Sequence, residues 1–193
     1  MINNIFNFII ELDNSLFLFI NQTIQNVFFD FLMPMFRNKF TWIPVYILLI
    51  LLYYKKFKFK AVYPILFLIV CVALTDSICH HFLKPFFGRP RPCFNEWIQV
   101  RLLTENCGGK WSFPSIHAAN HFGLSLGIIL SKLFAEKIWN FLLLLWAFLI
   151  GFAQIYVGIH YPIDILGGFF IGGLITYVVY KVLYSEKVLS KLK

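Results

Sequence analysis

Long apolar stretches dominate this sequence, and they restrict the chain to a membrane. Five of them meet or approach the about 18 residues that a helix needs to cross a bilayer. They run roughly from Phe40 to Tyr54, Ala61 to Cys79, His117 to Phe134, Ile138 to Val157 and Ile163 to Leu183. Only 13% of the 193 residues are charged, against about 25% in soluble domains. The sequence predicts an all-α, polytopic membrane helix bundle with five spans, forming one domain over residues 1–193.

Residues 1–39 fit two placements. Polar residues interrupt their Phe, Ile and Leu residues, so the stretch forms either a sixth span or a helix at the membrane interface. It lacks the basic start, the unbroken apolar stretch and the small-residue cleavage site of a signal peptide, so we expect it to belong to the mature protein. The interrupting residues are Glu11, Asp13, Asn14, Asn21, Gln22, Gln25, Asn26 and Asp30.

The lysines predict the orientation of the bundle, because Lys and Arg are enriched in cytoplasmic loops. If the spans alternate, one side collects Lys55, Lys56, Lys58, Lys60, Lys132, Lys137, Lys181, Lys187, Lys191 and Lys193. This side is expected to face the cytoplasm. The connection over residues 80–115 then faces the periplasm or exterior of a bacterial-type inner (cytoplasmic) membrane.

The predicted outer connection is also basic, against the topology rule. It holds Lys84, Arg89, Arg91, Arg101 and Lys110. The net charge of +8 can indicate a nucleic-acid partner, but its placement along a hydrophobic chain does not favour one, and we expect none. The basic residues are either scattered solvated charges or an anion site, and their clustering near histidines favours the site.

The four cysteines divide into two pairs by their surroundings. Cys71 and Cys79 lie in an apolar span and are expected to pack as small hydrophobic residues. Cys93 and Cys107 lie in the outer connection, where an oxidising compartment would allow a disulfide worth about 3 kcal/mol on the chain-entropy model. We expect this disulfide to form.

Three polar segments are not explained by hydropathy, and the first reads KPFFGRPRP from Lys84 to Pro92. Arginine offers a planar fork of donors and lysine a mobile charge, and both suit phosphate oxygens. Binding of lipid headgroups is the alternative. Asp76 and His80 precede Lys84 at intervals of four and are expected to share its helix face. Asp76 either orients or neutralises these neighbours, or it has a purely structural role.

The second and third segments carry histidines. In SFPSIHAANH, which ends at His121, Ser115 is placed to cap the next helix, and His117 stands in its first turn, where it can give a proton to a leaving oxygen. In AQIYVGIHYPID, His160 and Asp164 lie four residues apart, so the carboxylate can fix the imidazole tautomer for attack. A structural His–Asp pair is the alternative.

A metal site is the competing interpretation of these histidines. His117 with His121, and His160 with Asp164, both have the one-turn spacing of metal ligands. No third or fourth ligand is clearly placed, however, and the charges of Lys84 and Arg91 would repel a cation. We therefore expect no metal.

Together the three segments resemble the type 2 phosphatidic acid phosphatase superfamily, which includes the vanadium haloperoxidases and glucose-6-phosphatase. The similarity covers roughly Thr75 to Gly168. The first family motif is Lys, then six residues, then Arg-Pro, and it is matched by Lys84, Arg91 and Pro92. The second motif, Pro-Ser-Gly-His, is matched by Pro114, Ser115 and His117, with Ile116 in place of Gly. The third motif is Ser-Arg, then five residues, His, three residues and Asp; His160 and Asp164 match it, and Ala153 and Gln154 replace Ser-Arg.

The resemblance implies a role for each matching residue. His160 would attack phosphorus to form a phosphohistidine, and Asp164 would hold its ring. His117 would protonate the leaving group and later activate water. The phosphate-binding residues would be Lys84, Arg91 and Ser115, and neither a metal nor another cofactor is implied.

We therefore expect a metal-independent enzyme that dephosphorylates a membrane lipid phosphate or diphosphate, of the undecaprenyl diphosphate or lipid A phosphate type, at the outer membrane face. Gln154 is the main departure, since it lacks the charge of the family arginine. Either Arg89, Arg101 or Lys110 compensates, or the substrate needs fewer cations. The alternative function is a catalytically impaired protein that binds or transports a phosphorylated lipid.

Overall fold

The structure is a computed structural model that describes residues 2–183, and within that range its regular elements are helices. The only pairing of extended backbone there is an isolated bridge between Pro90 and Trp111. The all-α class predicted from the sequence is confirmed. The α-helices are α1 (Ile2–Leu18), α2 (Val27–Arg37), α3 (Ile43–Phe57), α4 (Val62–Ser77), α5 (Lys84–Phe87), α6 (Ile116–Leu130), α7 (Lys137–Tyr156) and α8 (Pro162–Leu183). A π-helical stretch extends α1 over Phe19–Thr23, and another joins α4 to α5 over Ile78–Leu83.

Three helical segments of the described range are long and apolar enough to cross a membrane. They are Lys39–Phe87, α7 and α8. The first contains both α3 and α4, which are separated at Lys58, where φ is +53°. The extended α1 and α2 form a pair bent by 118° that could make a fourth, whereas α6, with 15 residues, is shorter. A bundle with several apolar helices is observed, and the number of five spans stays a prediction.

Helices α3 and α4 run antiparallel to each other, and both pack against α6. Contacts along α3 advance in step with α6, whereas contacts along α4 run in the opposite order. The pairs are Tyr46 with His121 and Tyr53 with Ser131 for α3, and Leu68 with Gly127 and Asp76 with Asn120 for α4. The two helices therefore fold into a hairpin that covers one side of α6.

The lysine-bearing connections meet at one end of this bundle. Lys56 Nζ donates to the backbone oxygen atoms of Lys132 at 2.5 Å and Leu133 at 2.8 Å, which joins the α3–α4 connection to the α6–α7 connection. Lys181 lies in the last turn of α8, and Lys187, Lys191 and Lys193 lie outside the described residues. We call this end the lysine end, and we call the opposite end, where α6 and α8 begin, the site end.

Small residues let α6 and α8 approach closely. A Cβ atom added at Gly172 of α8 would lie 2.1 Å from the backbone oxygen of Ala119, and one added at Gly168 would lie 2.6 Å from that of Ser115. Small residues at such a spacing allow helix backbones to pack together in a membrane. The contact continues to the helix starts, where the Ser115 N–H donates to the backbone oxygen of Asp164 at 2.9 Å.

The N-terminal helices pack at the site end. The Asn21 side-chain amide donates to the backbone oxygen atoms of Tyr156 and Arg101, each at 2.8 Å, and the Asn26 N–H donates to the Tyr156 hydroxyl at 3.2 Å. Met33 of α2 lies in a buried cluster with Ala153 of α7. A bend of 118° fits a re-entrant or interfacial pair as well as a broken span, so both alternatives for residues 1–39 stand.

The close approach of α6 and α8 predicts that Gly172→Ala destabilises the protein. The added methyl group meets the backbone of Ala119, and overpacking of this kind costs about 1–3 kcal/mol. Thermal unfolding in detergent should show a lower melting temperature. The matched control is Gly109→Ala, because a Cβ atom there meets no described atom within 4 Å. Equal melting temperatures for the two variants would contradict the packing described.

Candidate active site

His160 and Asp164 meet in the connection between α7 and α8. Gly158, with φ +92°, allows the turn after α7, and Asp164 lies in the first turn of α8. His160 Nδ1 lies 3.3 Å from Asp164 Oδ2, and the two residues are 2% and 0% exposed. An N–H at Nδ1 that donates to this carboxylate leaves the lone pair on Nε2. The pair therefore has the arrangement of a nucleophile and its orienting group.

Burial keeps the imidazole of His160 neutral. Removal from water lowers its pKa to about 4, although the hydrogen bond to Asp164 acts in the opposite direction. At neutral pH the ring is uncharged, so a nitrogen lone pair is present. This is the form that a nucleophilic histidine needs.

Asp164 collects donors from several segments. Its Oδ2 atom also accepts the Tyr161 N–H at 2.8 Å and the Ser112 hydroxyl, while Oδ1 accepts from Arg89 at 2.9 Å. Ser112 Oγ is in turn 3.3 Å from His160 Nδ1. Ser112 belongs to the second polar segment and Arg89 to the first, so this carboxylate brings all three segments together.

Lys84 and Arg91 are held by backbone oxygen atoms. Lys84 Nζ donates to Trp111 at 2.7 Å and to Ser112 at 3.0 Å. Arg91 donates from Nε to Trp111 at 3.3 Å and from a terminal nitrogen to Cys107 at 2.8 Å. Carbonyl groups do not neutralise these cations, and both are close enough to Asp164 to interact with it electrostatically. Their charges therefore remain available to an anion.

The structure also brings His117 to this place. Ser115 caps α6 by accepting the Ala118 N–H at 3.4 Å, and His117 stands in the first turn. His117 is close enough to His160 and Arg91 for electrostatic interaction. His121, one turn deeper, bonds through its two ring nitrogens to the His117 backbone oxygen at 2.8 Å and the Tyr46 hydroxyl at 2.9 Å, which makes it a packing residue.

Arg89 supports Asp164 instead of facing a phosphate. One terminal nitrogen bonds to Asp164 at 2.9 Å and the other to Asp13 Oδ2 at 2.5 Å, and the guanidinium carbon lies 4.0 Å from the centre of the Tyr161 ring. Each terminal nitrogen of Arg89 thus binds a carboxylate, which does not favour Arg89 among the alternatives for compensating Gln154.

The other two residues expected to compensate are also occupied elsewhere. Arg101 forms an ion pair with Asp30 at 2.7 Å and bonds to the backbone oxygen of Asn21. Lys110 lies over the Trp111 ring, with Nζ 4.6 Å from its centre. Neither replaces a charge at position 154.

Asp13 belongs to the site network but was not predicted to. Its Oδ1 atom accepts the Ile163 N–H at 2.9 Å, and its Oδ2 atom binds Arg89. In the sequence, Asp13 is only one of the polar residues that interrupt residues 1–39. A carboxylate among the apolar residues of a membrane-associated helix indicates the need for a partner but does not identify which residue it is.

The prediction that Asp76, His80 and Lys84 share one helix face is wrong. The chain is π-helical over Ile78–Leu83, and this wider turn shifts the register after Asp76. Lys84 is consequently buried near Cys79, whereas His80 is exposed and contacts the His81 ring. Asp76 accepts a hydrogen bond from Asn120 at 3.3 Å.

Cys93 and Cys107 lie beside the phosphate-binding candidates. The structure joins them as a disulfide with Cα atoms 6.1 Å apart, and the Cys107 backbone oxygen is the one that Arg91 binds. A covalent link here would restrict the loop that positions Arg91. Within residues 2–183 there is no group of three or more His, Cys, Asp or Glu side chains that could hold a metal ion.

Gln154 is buried and unsatisfied. Its side chain is completely enclosed, and neither amide atom has a hydrogen-bond partner among the described residues. Its backbone oxygen accepts the His160 N–H at 3.3 Å, so the backbones of Gln154 and the nucleophile candidate are in contact. A buried amide without partners is costly unless a ligand completes it.

An apolar cavity of about 680 Å³ leads to His117 from between α3, α4 and α6. Half of its lining residues are Leu, Ile or Val residues of these helices. Its polar lining residues are Lys39, Tyr46, Tyr53, Asp76, His117, Asn120 and His121. The cavity suits an apolar chain whose polar end lies at His117.

Comparison with known proteins places all three polar segments within one match. Residues 64–187 match the family model of the PAP2 superfamily. The lipid A 4'-phosphatase of Bacteroides thetaiotaomicron is 36% identical over 173 residues, which cover 86% of this chain and 74% of that relative.

Two crystal structures share the fold. That of Aquifex aeolicus LpxE superposes with a TM-score of 0.64 and 29% identity, covering 86% of this chain and 93% of that chain. That of a transmembrane PAP2-type phosphatidylglycerolphosphate phosphatase from Bacillus subtilis superposes with a TM-score of 0.68 and 19% identity, covering 94% of this chain and 88% of that chain. The polytopic membrane class predicted from the sequence is confirmed.

The ion pair between Arg89 and Asp13 predicts that Asp13→Asn lowers stability. Removing one partner of a buried pair costs about 3–5 kcal/mol, and we expect less here because the Arg89 side chain is 25% exposed. The melting temperature in detergent should fall. Glu11→Gln, two residues away and exposed, removes the same charge without a partner in the site and should leave it unchanged. Equal effects of the two substitutions would refute the role given to Asp13.

Proposed function

The chain belongs to the PAP2 superfamily, and from this premise we propose that it removes phosphate from a membrane lipid phosphate or diphosphate through a phosphohistidine intermediate. The observation that carries the proposal is the meeting of a neutral, carboxylate-held His160 with His117 and two unneutralised cations beside an apolar cavity. Enzymatic lipid phosphate hydrolysis agrees with the activity named for its relative.

The first half of the reaction transfers the phosphoryl group to the protein. His160 Nε2 attacks phosphorus, a P–N bond forms, and the bond from phosphorus to the lipid oxygen breaks. His117 gives its proton to that oxygen as it leaves. Asp164 holds the attacking ring in place and stabilises the positive charge that develops on it.

The second half returns the phosphoryl group to water. His117, now neutral, takes a proton from a water molecule whose oxygen attacks phosphorus. The P–N bond breaks, inorganic phosphate leaves, and both histidines return to their starting forms. No metal ion enters either half, since His160 is the nucleophile, His117 transfers the protons and protein cations bind the phosphoryl oxygens.

Lys84, Arg91 and the start of α6 would bind the phosphoryl group. Preorganised donors of this kind stabilise transition-state charge without reorganisation. Both side chains are fixed by carbonyl groups before substrate arrives, and the capped helix start at Ser115 adds its positive dipole end. Positive charge is therefore in place where the negative charge of the phosphoryl group would lie.

The cavity supports a lipid as the substrate. Its apolar walls suit a hydrocarbon chain, and His117 at its polar end is the group that would protonate the leaving oxygen. Since the chain is 36% identical to a lipid A 4'-phosphatase, we propose a lipid A phosphate as the substrate, with undecaprenyl diphosphate as the alternative of the same chemical class.

The positions of the lysines support an outward-facing site. The connections that meet at the lysine end carry Lys55, Lys56, Lys58, Lys60 and Lys132, and cytoplasmic loops are enriched in such residues. The site end would then face the periplasm or exterior of a bacterial-type inner membrane.

A lipid phosphate binding or transport protein is the second candidate function. The fully buried, neutral Gln154 favours it, because an arginine of the family pattern is missing there and removal of one transition-state donor costs about 10²–10³ in rate. The two functions differ in turnover, which an assay can measure.

Phosphate release is the direct test of the proposed function. Purified protein in detergent with EDTA should release inorganic phosphate from lipid A or undecaprenyl diphosphate, and His160→Ala should reduce this release to background. His81→Ala changes an exposed histidine outside the site and should retain full activity. Wild-type protein that binds these lipids without releasing phosphate would favour the second candidate, and dependence on an added metal would contradict the mechanism.

A further inference from the structure

Arg37, the last residue of α2, lies at the active site although it belongs to none of the three polar segments. Helix α2 packs along α7, with Met33 in the cluster that holds Ala153, and in the turn that follows α2 the Trp42 ring packs against that of Trp146. Arg37 lies between these two contacts. Its guanidinium is close enough to His117 and to Arg91 to interact electrostatically with both.

Arg37 is a site arginine without an acceptor. Its Nε atom is buried and has no hydrogen-bond partner within residues 2–183, and no described carboxylate pairs with it. By contrast, Arg89 binds two carboxylates and Arg91 binds two carbonyl groups. A partly buried guanidinium beside a second guanidinium is unfavourable unless an anion joins them.

A purely local role does not account for this arrangement. A basic residue in the last turn stabilises a helix through the dipole, and Arg37 occupies such a position. That effect needs only an exposed charge near the helix end. It does not require the burial of Nε or the approach to His117 and Arg91, which lie on other elements.

Gln154 is the second unsatisfied group on this side of the site. It follows Ala153, which shares a buried cluster with Met33, and Arg37 stands one turn beyond Met33 on α2. Both amide atoms of Gln154 lack partners within the described residues. A neutral amide on α7 and a cation on α2 thus lie on the same side of the site, each with unused hydrogen-bonding capacity.

We propose that Arg37 binds the phosphoryl oxygens of the substrate and supplies the positive charge that Gln154 does not. This inference rests on the proposed function. The phosphoryl oxygens would accept hydrogen bonds from Arg37 on one side and from Arg91 on another, so that one anion separates the two guanidinium groups. Arg37 would therefore act on the phosphoryl group from α2, and Gln154 would contribute a neutral donor from α7.

The experiment compares Arg37→Gln, Gln154→Arg and the double variant with wild type. Arg37→Gln should lower kcat by about 10²–10³, the usual effect of losing one transition-state donor. It should also weaken inhibition by orthovanadate, which occupies a phosphate site. The double variant should be at least about tenfold more active than Arg37→Gln, because it returns a guanidinium to the site from α7. Lys55→Gln, at the lysine end, is the control for removing one positive charge.

Each possible result either supports or overturns the role proposed for Arg37. Arg37→Gln with wild-type turnover and wild-type inhibition by orthovanadate would overturn it, while phosphate release by wild type would leave the proposed function standing. Wild-type protein without phosphate release would instead refute the proposed function. If Arg37→Gln lowers the melting temperature, the double variant decides: a gain in activity over Arg37→Gln supports the inference, and no gain overturns it.

Discussion

The buried carboxylate of Asp164 is the group on which the site end depends. It accepts from His160, Ser112, the Tyr161 N–H and Arg89, and Arg89 continues the network to Asp13 of α1. An unpaired charge at such depth would be strongly destabilising, so all these partners must be in place together. The carboxylate that holds the imidazole therefore also joins the segments of chain that form the site.

The cations of the site end fall into two groups with different consequences. Arg89 and Arg101 bind carboxylates, so their charges serve the fold. Lys84 and Arg91 bind only carbonyl groups of the loop before α6, which orients them without neutralising them. The pocket consequently keeps a net positive charge, and a phosphoryl anion is the partner that this charge favours.

The apolar stretches and the three polar segments could be predicted from the sequence because each depends on local spacing and hydropathy. The π-helical turn could not, and its extra residue per turn separated His80 from Lys84. Asp13 and Arg37 were missed for another reason. They reach the site through the packing of α1 and α2 against distant elements, and no pattern within residues 1–39 records those neighbours. The close packing of α6 on α8 was likewise visible only as scattered glycines.

The proposed mechanism depends on covalent transfer of the phosphoryl group to His160. Rapid quenching of the purified protein during turnover of a lipid substrate with radiolabelled phosphate, followed by peptide mapping, would detect it. We expect an acid-labile, base-stable label on the peptide that contains His160. Phosphate release without any covalent label at that peptide, or a label on a different residue, would contradict it.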